Sequence, residues 1–321
     1  MTSRPAPDNG GTPPRLPHPG TGRPFPSPVP PGTGWPDDPA DAATPVAADA
    51  ASVERLADPE VGLAELSARV SVCRACPRLV GWREQVAVEK RRSFAGEPYW
   101  GRPSTGFGDP QPGVLVVGLA PAANGANRTG RVFTGDRSGE WLFAALHDAG
   151  LATRGESRHA GDGLTLPGAR IVPAVRCAPP ANAPSPAERD TCAPWLRAEA
   201  ALVWPTVGSV VALGRFAWDA VLRLVRDSGG TVPRPVPRFG HAAESVLGRP
   251  GGGSVVLVGS FHPSQQNTFT GRLTMPMLTA VLLRAAELAA PDPARAEVAG
   301  PAPGTVPDSG PPADPVERGG T

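Results

Sequence analysis

Four cysteines have a spacing that suggests a bound inorganic group. Cys73 and Cys76 form a C-x2-C pair, and Cys177 and Cys192 follow as a C-x14-C pair after a gap of 100 residues. Two disulfides are not expected in a cytosolic protein. Four thiolates complete either a tetrahedral zinc site or a 4Fe–4S cluster. The spacing leaves both open, together with a third interpretation in which the four are unconnected buried thiols.

Asp136 is the only carboxylate in a long polar loop between an apolar run and the helix that follows it. A carboxylate there could hold a water molecule or stabilise positive charge in a substrate. Aspartate is also a favourable N-cap, and the helix is predicted to begin near Ser138. Catalysis and helix capping are therefore alternative roles for this residue.

Two further polar side chains follow apolar runs. Asn182 lies in the loop 177–184, where its amide could orient a water molecule or serve only as a turn-former between prolines. His262 directly follows the apolar run in 254–264 and could donate a hydrogen bond to negative charge on a leaving group. A lone histidine is often structural, which is the alternative for His262.

Alternating strands and helices would position these side chains. Continuous apolar, β-branched runs predict buried strands, and amphipathic patterns with capping signals predict helices. The predicted strands are 113–120, 170–177, 207–214 and 254–264; the predicted helices are 138–150, one starting at about 186, 215–227 and 274–290. The alternation predicts an α/β fold, a three-layer α/β/α sandwich on a mainly parallel four-stranded sheet. Ligands bind such sheets at the carboxyl ends of the strands, where the polar loops meet.

Composition divides the chain into three parts. Residues 1–60 are predicted to be a disordered Pro/Gly-rich head, 61–290 the folded domain and 291–321 a disordered tail. Of the 43 prolines, 14 fall in residues 1–50 and 8 in residues 291–321. Neither end shows apolar periodicity.

Charge is distributed unevenly along the chain. Residues 61–290 contain 25 Lys and Arg against 17 Asp and Glu, a net charge of +8, whereas the flanks together have a net charge of −7. A basic domain suits a polyanionic partner, although an ordinary solvated surface is the alternative. No signal peptide and no apolar run of membrane-spanning length are recognised. We therefore expect a cytoplasmic protein that acts as a monomer without membrane contact.

Several separate motifs resemble those of family 5 uracil-DNA glycosylases. They are "EPYWGRPSTGFGDPQPGVLVVGLAPAANGANRTGRVFTGDRSGEWLFAAL", "VRCAPPANAPSPAE" and "FHPSQQNTFTGRLT". The resemblance covers about residues 65–290, and the four cysteines match the iron–sulfur ligands of that family in order and spacing. It implies a 4Fe–4S cluster, with zinc as the alternative cofactor.

The resemblance implies a monofunctional DNA glycosylase that hydrolyses the N-glycosidic bond of uracil and so initiates base excision repair. The partner would be DNA with a flipped damaged base. Asp136, Asn182 and His262 would be the catalytic residues, acting on water, the sugar cation and the leaving base. Phe133 matches the position that stacks on the flipped base; the alternative is a loop residue pinned into the core.

The sequence departs from related patterns at three positions. Ala120 stands where a G-Q-D-P-Y motif supplies aspartate, and Leu119 stands where the family 4 motif G-E-A-P-G supplies glutamate. Asn124 replaces the histidine that family members usually show after "GLAPAA". The missing carboxylates leave Asp136 as the candidate for water activation.

The segment after His262 would be the loop that faces DNA. Ser264 and Arg272 could contact phosphates, and Gln265, Gln266 and Asn267 could fill the gap left by the flipped nucleotide. The cationic stretch 89–94 could add phosphate contacts. Each of these residues is also compatible with a merely solvated polar loop.

Three alternatives to a broad uracil glycosylase remain. One is a narrow, family 4-like enzyme, which would not act on other deaminated bases such as hypoxanthine. The others are a non-catalytic iron–sulfur DNA-binding module and a zinc-stabilised binding domain. Lys90 is the only lysine, and it lies outside the site loops, which argues against a Schiff-base lyase step.

Overall fold

The computed structural model of the protein describes residues 14–290, which belong to one compact unit. Its strands are β1 (Leu16–Pro17), β2 (Pro24–Phe25), β3 (Phe107–Gly108), β4 (Val114–Gly118), β5 (Ala169–Pro173), β6 (Ser209–Leu213), β7 (Glu244–Gly248) and β8 (Ser254–Ser260). Its helices are α1 (Ala50–Leu56), α2 (Gly62–Ser71), α3 (Pro77–Glu89), α4 (Ala126–Thr129), α5 (Arg137–Asp148), α6 (Pro186–Val203), α7 (Arg215–Asp227), α8 (Gln265–Phe269) and α9 (Met275–Ala289). Short 3₁₀ helices occupy Pro59–Val61, Arg92–Phe94 and Pro180–Asn182.

The predicted α/β fold is confirmed. The main sheet has the order β3-β5-β4-β6-β8-β7, and its four central strands β5, β4, β6 and β8 run parallel. These are the four strands that the apolar runs predict. The sheet has six strands rather than four, because β3 and β7 add antiparallel edges. β3 is only two residues long and β7 is half exposed, so neither has the continuous apolar run that marks a buried strand.

Helices cover both faces of the sheet and form the outer layers of the sandwich. Val116 of β4 points into the layer of α5 and α9, where it packs with Leu142 and Leu282. The adjacent Val117 faces the opposite layer and packs with Val221 of α7. This alternation follows from the two-residue period of a strand. None of the helices within residues 14–290 is long and apolar enough to cross a membrane.

Residues 14–60 differ from the predicted disordered head. Phe25, Val29 and Trp35 are buried in a small apolar cluster with Trp100, and β1 pairs with β2. Scattered large apolar side chains anchor this segment without any period that a sequence pattern would show, and its prolines are compatible with extended structure. The predicted disorder of residues 1–13 and 291–321 lies outside the described residues.

The bounds of the elements around the site agree closely with the predicted ones. α7 spans the predicted residues 215–227, and α6 begins at Pro186 behind a capping box of Ser185 and Glu188. α5 begins at Arg137, one residue before the predicted start near Ser138, and Asp136 is its N-cap. The loops after β4, β5 and β8 leave the carboxyl ends of strands in the same parallel set and converge on one region.

Candidate active site

A pocket of about 350 Å³ lies at the carboxyl ends of the parallel strands. Three separate loops supply its walls, after β4, β5 and β8. The lining residues are Leu119, Ala120, Ala122, Phe133, Asp136, Ser138, Asn182, His262, Ser264 and Gln266. The structure thus brings together the three residues predicted to be catalytic, the predicted ring for base stacking and part of the predicted DNA-facing loop.

Two glycines fix the ring of Phe133 at the pocket wall. A Cβ on Gly118, the last residue of β4, would lie 2.6 Å from Cε2 of Phe133, and a Cβ on Gly139 would lie 1.6 Å from its carbonyl oxygen. Phe133 itself has a left-handed φ of 54°. Its ring is tilted by 32° from the imidazole of His262, with 5.8 Å between centroids. Phe133 is therefore pinned into the core and also presents a face to the pocket.

Asp136 is the N-cap of α5 and also lines the pocket. Its Oδ1 accepts a hydrogen bond of 3.0 Å from the backbone N–H of Gly139, which caps α5. Its Oδ2 packs over Gly125, where a Cβ would lie only 2.2 Å away. Burial raises the pKa of the Asp136 carboxyl, although the N–H donors of Gly139 and Ser138 and the nearby Arg128 partly offset the effect. Because the cap uses one oxygen, it does not exclude a role for the other.

Asn182 is exposed and lies in a strained turn. Ala181 and Asn182 both have left-handed φ angles, 53° and 54°. Such residues cost about 1–3 kcal/mol each and are maintained only where the surroundings require them. The backbone N–H of Asn182 donates to the carbonyl of Pro179 at 3.2 Å, so the turn is closed by the backbone. The amide side chain is therefore not needed to close the turn.

His262 follows β8 directly and lies deep in the pocket. Burial lowers the pKa of its imidazole to about 4, so the ring is neutral at neutral pH. Its backbone carbonyl accepts a hydrogen bond of 2.8 Å from Nδ2 of Asn267. A neutral imidazole can still donate one ring N–H to an acceptor in the pocket.

Two of the predicted DNA-facing residues line the pocket, and the other three lie outside its lining. Ser264 and Gln266 line it, whereas Gln265 is exposed on α8. Asn267 is engaged with the carbonyl of His262, and Arg272 places its guanidinium 4.4 Å from the centroid of the Phe261 ring.

Asn124, which stands where family members usually show a histidine, also lies outside the pocket lining. Its Oδ1 accepts a hydrogen bond of 2.9 Å from the hydroxyl of Tyr99. The backbone N–H of Arg91 donates to the same hydroxyl at 3.4 Å. Asn124 thereby contacts the cationic stretch 89–94 indirectly. No sequence pattern predicts this contact of Tyr99 with Asn124, which are 25 positions apart.

The four cysteines surround a second, enclosed space. Cys73 follows α2, Cys76 is the N-cap of α3, Cys177 follows β5 and Cys192 lies in α6. All four line the same small cavity as free thiols. Burial and the neighbouring Cys177 and Cys73 raise the pKa of the Cys76 thiol to about 12. Within residues 14–290, no three Cys, His, Asp or Glu side chains are placed as ligands of a single metal ion.

Buried donors face these sulfur atoms. Arg83 is 1% exposed; its Nη1 donates to Sγ of Cys177 at 2.8 Å and its Nη2 to the carbonyl of Cys73 at 2.9 Å. The backbone N–H of Arg176 donates to Sγ of Cys192 at 3.3 Å. Arg83 thus directs its guanidinium to the cysteines, and among residues 14–290 the buried Nε1 of Trp195, in the same cavity, has no hydrogen-bond partner. An anionic metal–sulfur group fits this set of donors.

Comparison with known proteins identifies the family to which this chain belongs. The family model described as the uracil DNA glycosylase superfamily matches residues 105–285. A type-5 uracil-DNA glycosylase of Mycobacterium tuberculosis is 58% identical over 272 residues, 85% of this chain and 98% of that protein. Those of Thermus thermophilus and Pyrobaculum aerophilum are 50% and 44% identical, over 68% of this chain and 95% and 89% of the relatives. The chain therefore belongs to the type-5 uracil-DNA glycosylase family.

Proposed function

We propose that this protein is a monofunctional DNA glycosylase that hydrolyses the N-glycosidic bond of uracil in DNA and so initiates base excision repair. One observation carries the proposal: in a chain of the type-5 family, Asp136, Asn182, His262 and Phe133 line one pocket. They come from three loops at the strand ends, which is where α/β folds bind ligands.

The pocket suits a single extruded base. Its volume of about 350 Å³ falls in the range of small-ligand sites and cannot admit a duplex. The target nucleotide must therefore leave the base stack. Phe133 offers an aromatic face for the ring of the base, since aromatic planes stack with an offset.

Hydrolysis replaces the bond between C1′ and the base nitrogen with a bond between C1′ and a water oxygen. The bonding electron pair leaves with the base, and the sugar gains oxocarbenium character. Asp136 stabilises that positive charge and orients the water, whose proton is lost as the new bond forms. The side-chain amide of Asn182 hydrogen-bonds to the same water, either as an acceptor through its oxygen or as a donor through its nitrogen.

His262 acts on the departing base. Its neutral imidazole donates a hydrogen bond to the carbonyl oxygen on which negative charge accumulates. A neutral donor is consistent with the pKa of about 4 that burial imposes. The released base anion takes up the proton that the water loses, so the reaction produces no net proton.

The cysteine site is proposed to hold a 4Fe–4S cluster, with zinc as the alternative. Cys73, Cys76, Cys177 and Cys192 would be its ligands, and Arg83 would balance part of its negative charge. When bound, the cluster supplies a cross-link and no electron transfer, because hydrolysis transfers no electrons. The ligands join the α2–α3 junction to α6 and to the chain after β5, which leads into the loop of Asn182.

The range of bases is proposed to extend beyond uracil to other deaminated bases such as hypoxanthine. Leu119 and Ala120 line the pocket with apolar groups where related patterns supply carboxylates. An apolar wall discriminates weakly between bases that differ in polar groups. A duplex with hypoxanthine opposite thymine separates this proposal from a narrow, family 4-like enzyme, which would leave it intact.

We further propose that the protein works in the cytoplasm as a monomer. The four free thiols suit a reducing compartment. Size-exclusion chromatography with light scattering would test the monomer, and a mass of two chains would contradict it.

A strand-scission assay tests the proposed reaction. Protein purified without oxygen is mixed with an end-labelled duplex carrying one uracil, and half of each sample is treated with hot alkali. Cleavage only after alkali supports a monofunctional glycosylase, and a duplex with thymine in place of uracil is the control. A covalent adduct trapped by borohydride would contradict the monofunctional assignment. Tight binding without cleavage of the uracil duplex or the hypoxanthine duplex would favour the non-catalytic module.

A further inference from the structure

Arg128 is a buried arginine of α4 that the proposed mechanism does not use. It is 8% exposed and lies in the loop that carries Phe133 and Asp136. Burial of a guanidinium is unfavourable unless its charge is paired and its N–H groups are hydrogen-bonded. The contacts of Arg128 therefore indicate which part of the loop it holds.

Two backbone carbonyls of the loop accept hydrogen bonds from Arg128. Its Nε donates to the carbonyl of Asn124 at 3.0 Å, and its Nη2 donates to the carbonyl of Gly135 at 3.0 Å. Gly135 directly precedes Asp136. Asn124 directly precedes Gly125, over which Oδ2 of Asp136 packs. Arg128 thus joins the backbone that leads into Asp136 to the backbone on which its carboxyl rests.

Residues 94–99 hold the guanidinium in place. Its Nη1 donates to a carboxylate oxygen of Glu97, so all three nitrogens of Arg128 are hydrogen-bonded. The guanidinium carbon lies 3.9 Å from the centroid of the Phe94 ring. The hydroxyl of Tyr99 donates to Oδ1 of Asn124 at 2.9 Å, so the same segment also fixes one of the residues that Arg128 bonds.

The close contact between Arg128 and Gly135 leaves no space for a side chain. Gly135 has a left-handed φ of 85°, and a Cβ there would lie 2.6 Å from Nη2 of Arg128. Both the backbone conformation and the close approach favour glycine. The chain therefore enters Asp136 in a conformation that depends on this contact.

We propose that Arg128 is the positioning residue of the proposed catalytic carboxylate, because it fixes the backbone around Asp136 and places a positive charge near it. The inference rests on the proposed function, since the position of Asp136 affects the rate only if its carboxylate takes part in the reaction. A displacement of about 1 Å in a catalytic group can lower a rate by about 100-fold. Arg128 does not line the pocket, so it acts through Asp136 and not on the base.

The charge of Arg128 is a second contribution, separate from its hydrogen bonds. Burial is the largest influence on the pKa of Asp136 and raises it; the N–H groups of Gly139 and Ser138 and the charge of Arg128 lower it. Other charged or titratable groups around Asp136 are His262, which burial keeps neutral, Arg137 and Glu140, which are exposed on α5, and Glu97, which pairs with Arg128.

Three variants of the full-length protein separate position from charge. Arg128→Gln removes the charge and most of the contacts. Arg128→Lys keeps the charge but loses the planar fork that reaches both carbonyls. Glu97→Gln keeps a hydrogen-bond acceptor for Arg128 and removes the negative charge.

Two independent measurements are made on each variant. Single-turnover uracil excision is followed against pH, with the rate constant of the chemical step and the Kd for the duplex determined separately. The pKa of the Asp136 carboxyl is measured without DNA by carbon NMR of that group.

For Arg128→Gln, we expect the rate constant at neutral pH to fall by about 10- to 100-fold with an unchanged Kd. The acid limb of the pH profile and the pKa of Asp136 should both move to higher pH. Arg128→Lys should lose a similar factor in rate but keep the acid limb near that of the wild type. Glu97→Gln should not move the limb to higher pH, because Arg128 stays charged.

Arg102→Gln is the matched control. Arg102 is 7% exposed, pairs with Asp38 and has its guanidinium carbon 3.9 Å from the centroid of the Trp100 ring. Its hydrogen bonds go to Val29, Asp38 and Ser71 and not to the loop that carries Asp136. The variant should lower stability and leave the pKa of Asp136 unchanged.

An unchanged rate constant in folded Arg128→Gln, or an equal movement of the pKa in Arg102→Gln, would overturn the role of Arg128. If Arg128→Gln does not fold, a wild-type rate constant in Arg128→Lys would overturn the positioning by hydrogen bonds. A wild type that releases no uracil, together with a raised pKa of Asp136 in Arg128→Gln, would overturn the proposed function and leave the effect of Arg128 on Asp136 standing.

Discussion

Asp136 is both the N-cap of α5 and the proposed catalytic carboxylate. The same carboxyl caps α5 and lines the pocket, so replacing it with alanine would disturb both folding and catalysis. Asparagine is about as good an N-cap as aspartate but carries no charge. The Asp136→Asn variant therefore removes the proposed catalytic carboxylate and preserves the cap.

We expect Asp136→Asn to lower kcat/KM for uracil excision by about 10²- to 10⁴-fold, because the variant cannot stabilise the sugar cation or orient water as a carboxylate does. Its free energy of unfolding should stay within about 1 kcal/mol of the wild type. Single-turnover kinetics and urea unfolding measure the two effects. Asp148→Asn, at the other end of α5, is the matched control. Activity close to wild type would remove Asp136 from the mechanism.

The pH dependence should reflect the two opposite pKa shifts in the pocket. Burial raises the pKa of Asp136 above its usual value of about 3.9, so activity should fall on acidification sooner than for an ordinary aspartate. The pKa of His262 is lowered to about 4, so its neutral form persists until the pH approaches that value. We expect no inflection from His262 between about pH 6 and 8. A wild-type inflection near pH 6.5 that His262→Ala abolishes would contradict the neutral-donor role.

The sequence could predict that these residues meet in one pocket because strand ends are recognisable. Asp136, Asn182 and His262 each follow an apolar strand, and parallel strands deliver their carboxyl ends to one edge. Arg83 and Tyr99 could not be predicted in the same way. Arg83 and Cys177 are 94 positions apart in the sequence, and no rule of residue spacing predicts a hydrogen bond between two such residues.

The N-terminal segment, residues 14–49, packs behind the loop that carries Phe133 and Asp136. A Cβ on Gly130 of that loop would lie 2.8 Å from Nε1 of Trp35. Asp37 pairs with Arg131 of the same loop at 3.3 Å. The segment therefore contacts the pocket-wall loop at Gly130 and Arg131, neither of which lines the pocket.

Trp35→Ala tests whether this segment contributes to the folded state. The indole is 4% exposed and packs with the ring of Trp100, so its removal should lower the free energy of unfolding by about 3–5 kcal/mol. Chemical denaturation measures the loss, with Val46→Ala, an exposed residue of the same segment, as the control. Unchanged stability would instead support the predicted disordered head.

The central strands and main helices were predictable, whereas the edges and the N-terminal segment were not. A strand buried on both faces needs a continuous apolar run, which β4 and β6 show. The edge strand β7 is solvated on its open side and carries no such run. The N-terminal segment is fixed by a few aromatic anchors among prolines, a pattern that composition also associates with disorder.

The cysteine site is joined to the active-site loop through Arg83. Its guanidinium faces two cysteines, and its backbone carbonyl accepts a hydrogen bond of 3.1 Å from Nδ2 of Asn127 in α4. α4 lies within the loop between β4 and α5 that carries Phe133 and Asp136. Arg83 thus contacts both the cysteine site and the loop that forms the pocket wall.

Arg83→Gln should weaken retention of the proposed cluster, because it removes the buried positive charge that balances the thiolates. We expect at least about a two-fold loss of bound iron per chain and of absorbance near ~400 nm. Arg83→Lys should retain more iron, and Arg226→Gln, an exposed residue of α7, should match the wild type. Equal iron in the wild type and Arg83→Gln would contradict the charge-balancing role. A colourless wild type that contains zinc would replace the cluster with the alternative.

The charge of the folded unit is smaller than its predicted boundaries imply. Residues 14–60 contribute 3 Arg and 7 Asp and Glu, so the net charge over 14–290 is +4 rather than the +8 of residues 61–290. Part of the added negative charge is neutralised by ion pairs such as Asp38 with the buried Arg102. We therefore expect recognition of DNA to depend more on where the arginines without an ion pair among residues 14–290 lie than on net charge. Arg137, between the pocket residues Asp136 and Ser138, is one of them.

The most direct measurement is the stoichiometry of free uracil and abasic sites formed from a uracil-containing duplex under single-turnover conditions. We predict one free uracil for each abasic site, with the strand intact before alkali. The Asp136→Asn variant should form both products at the same reduced rate. Strand breaks without free uracil, or no release from a duplex that the wild type binds, would contradict base hydrolysis in this pocket.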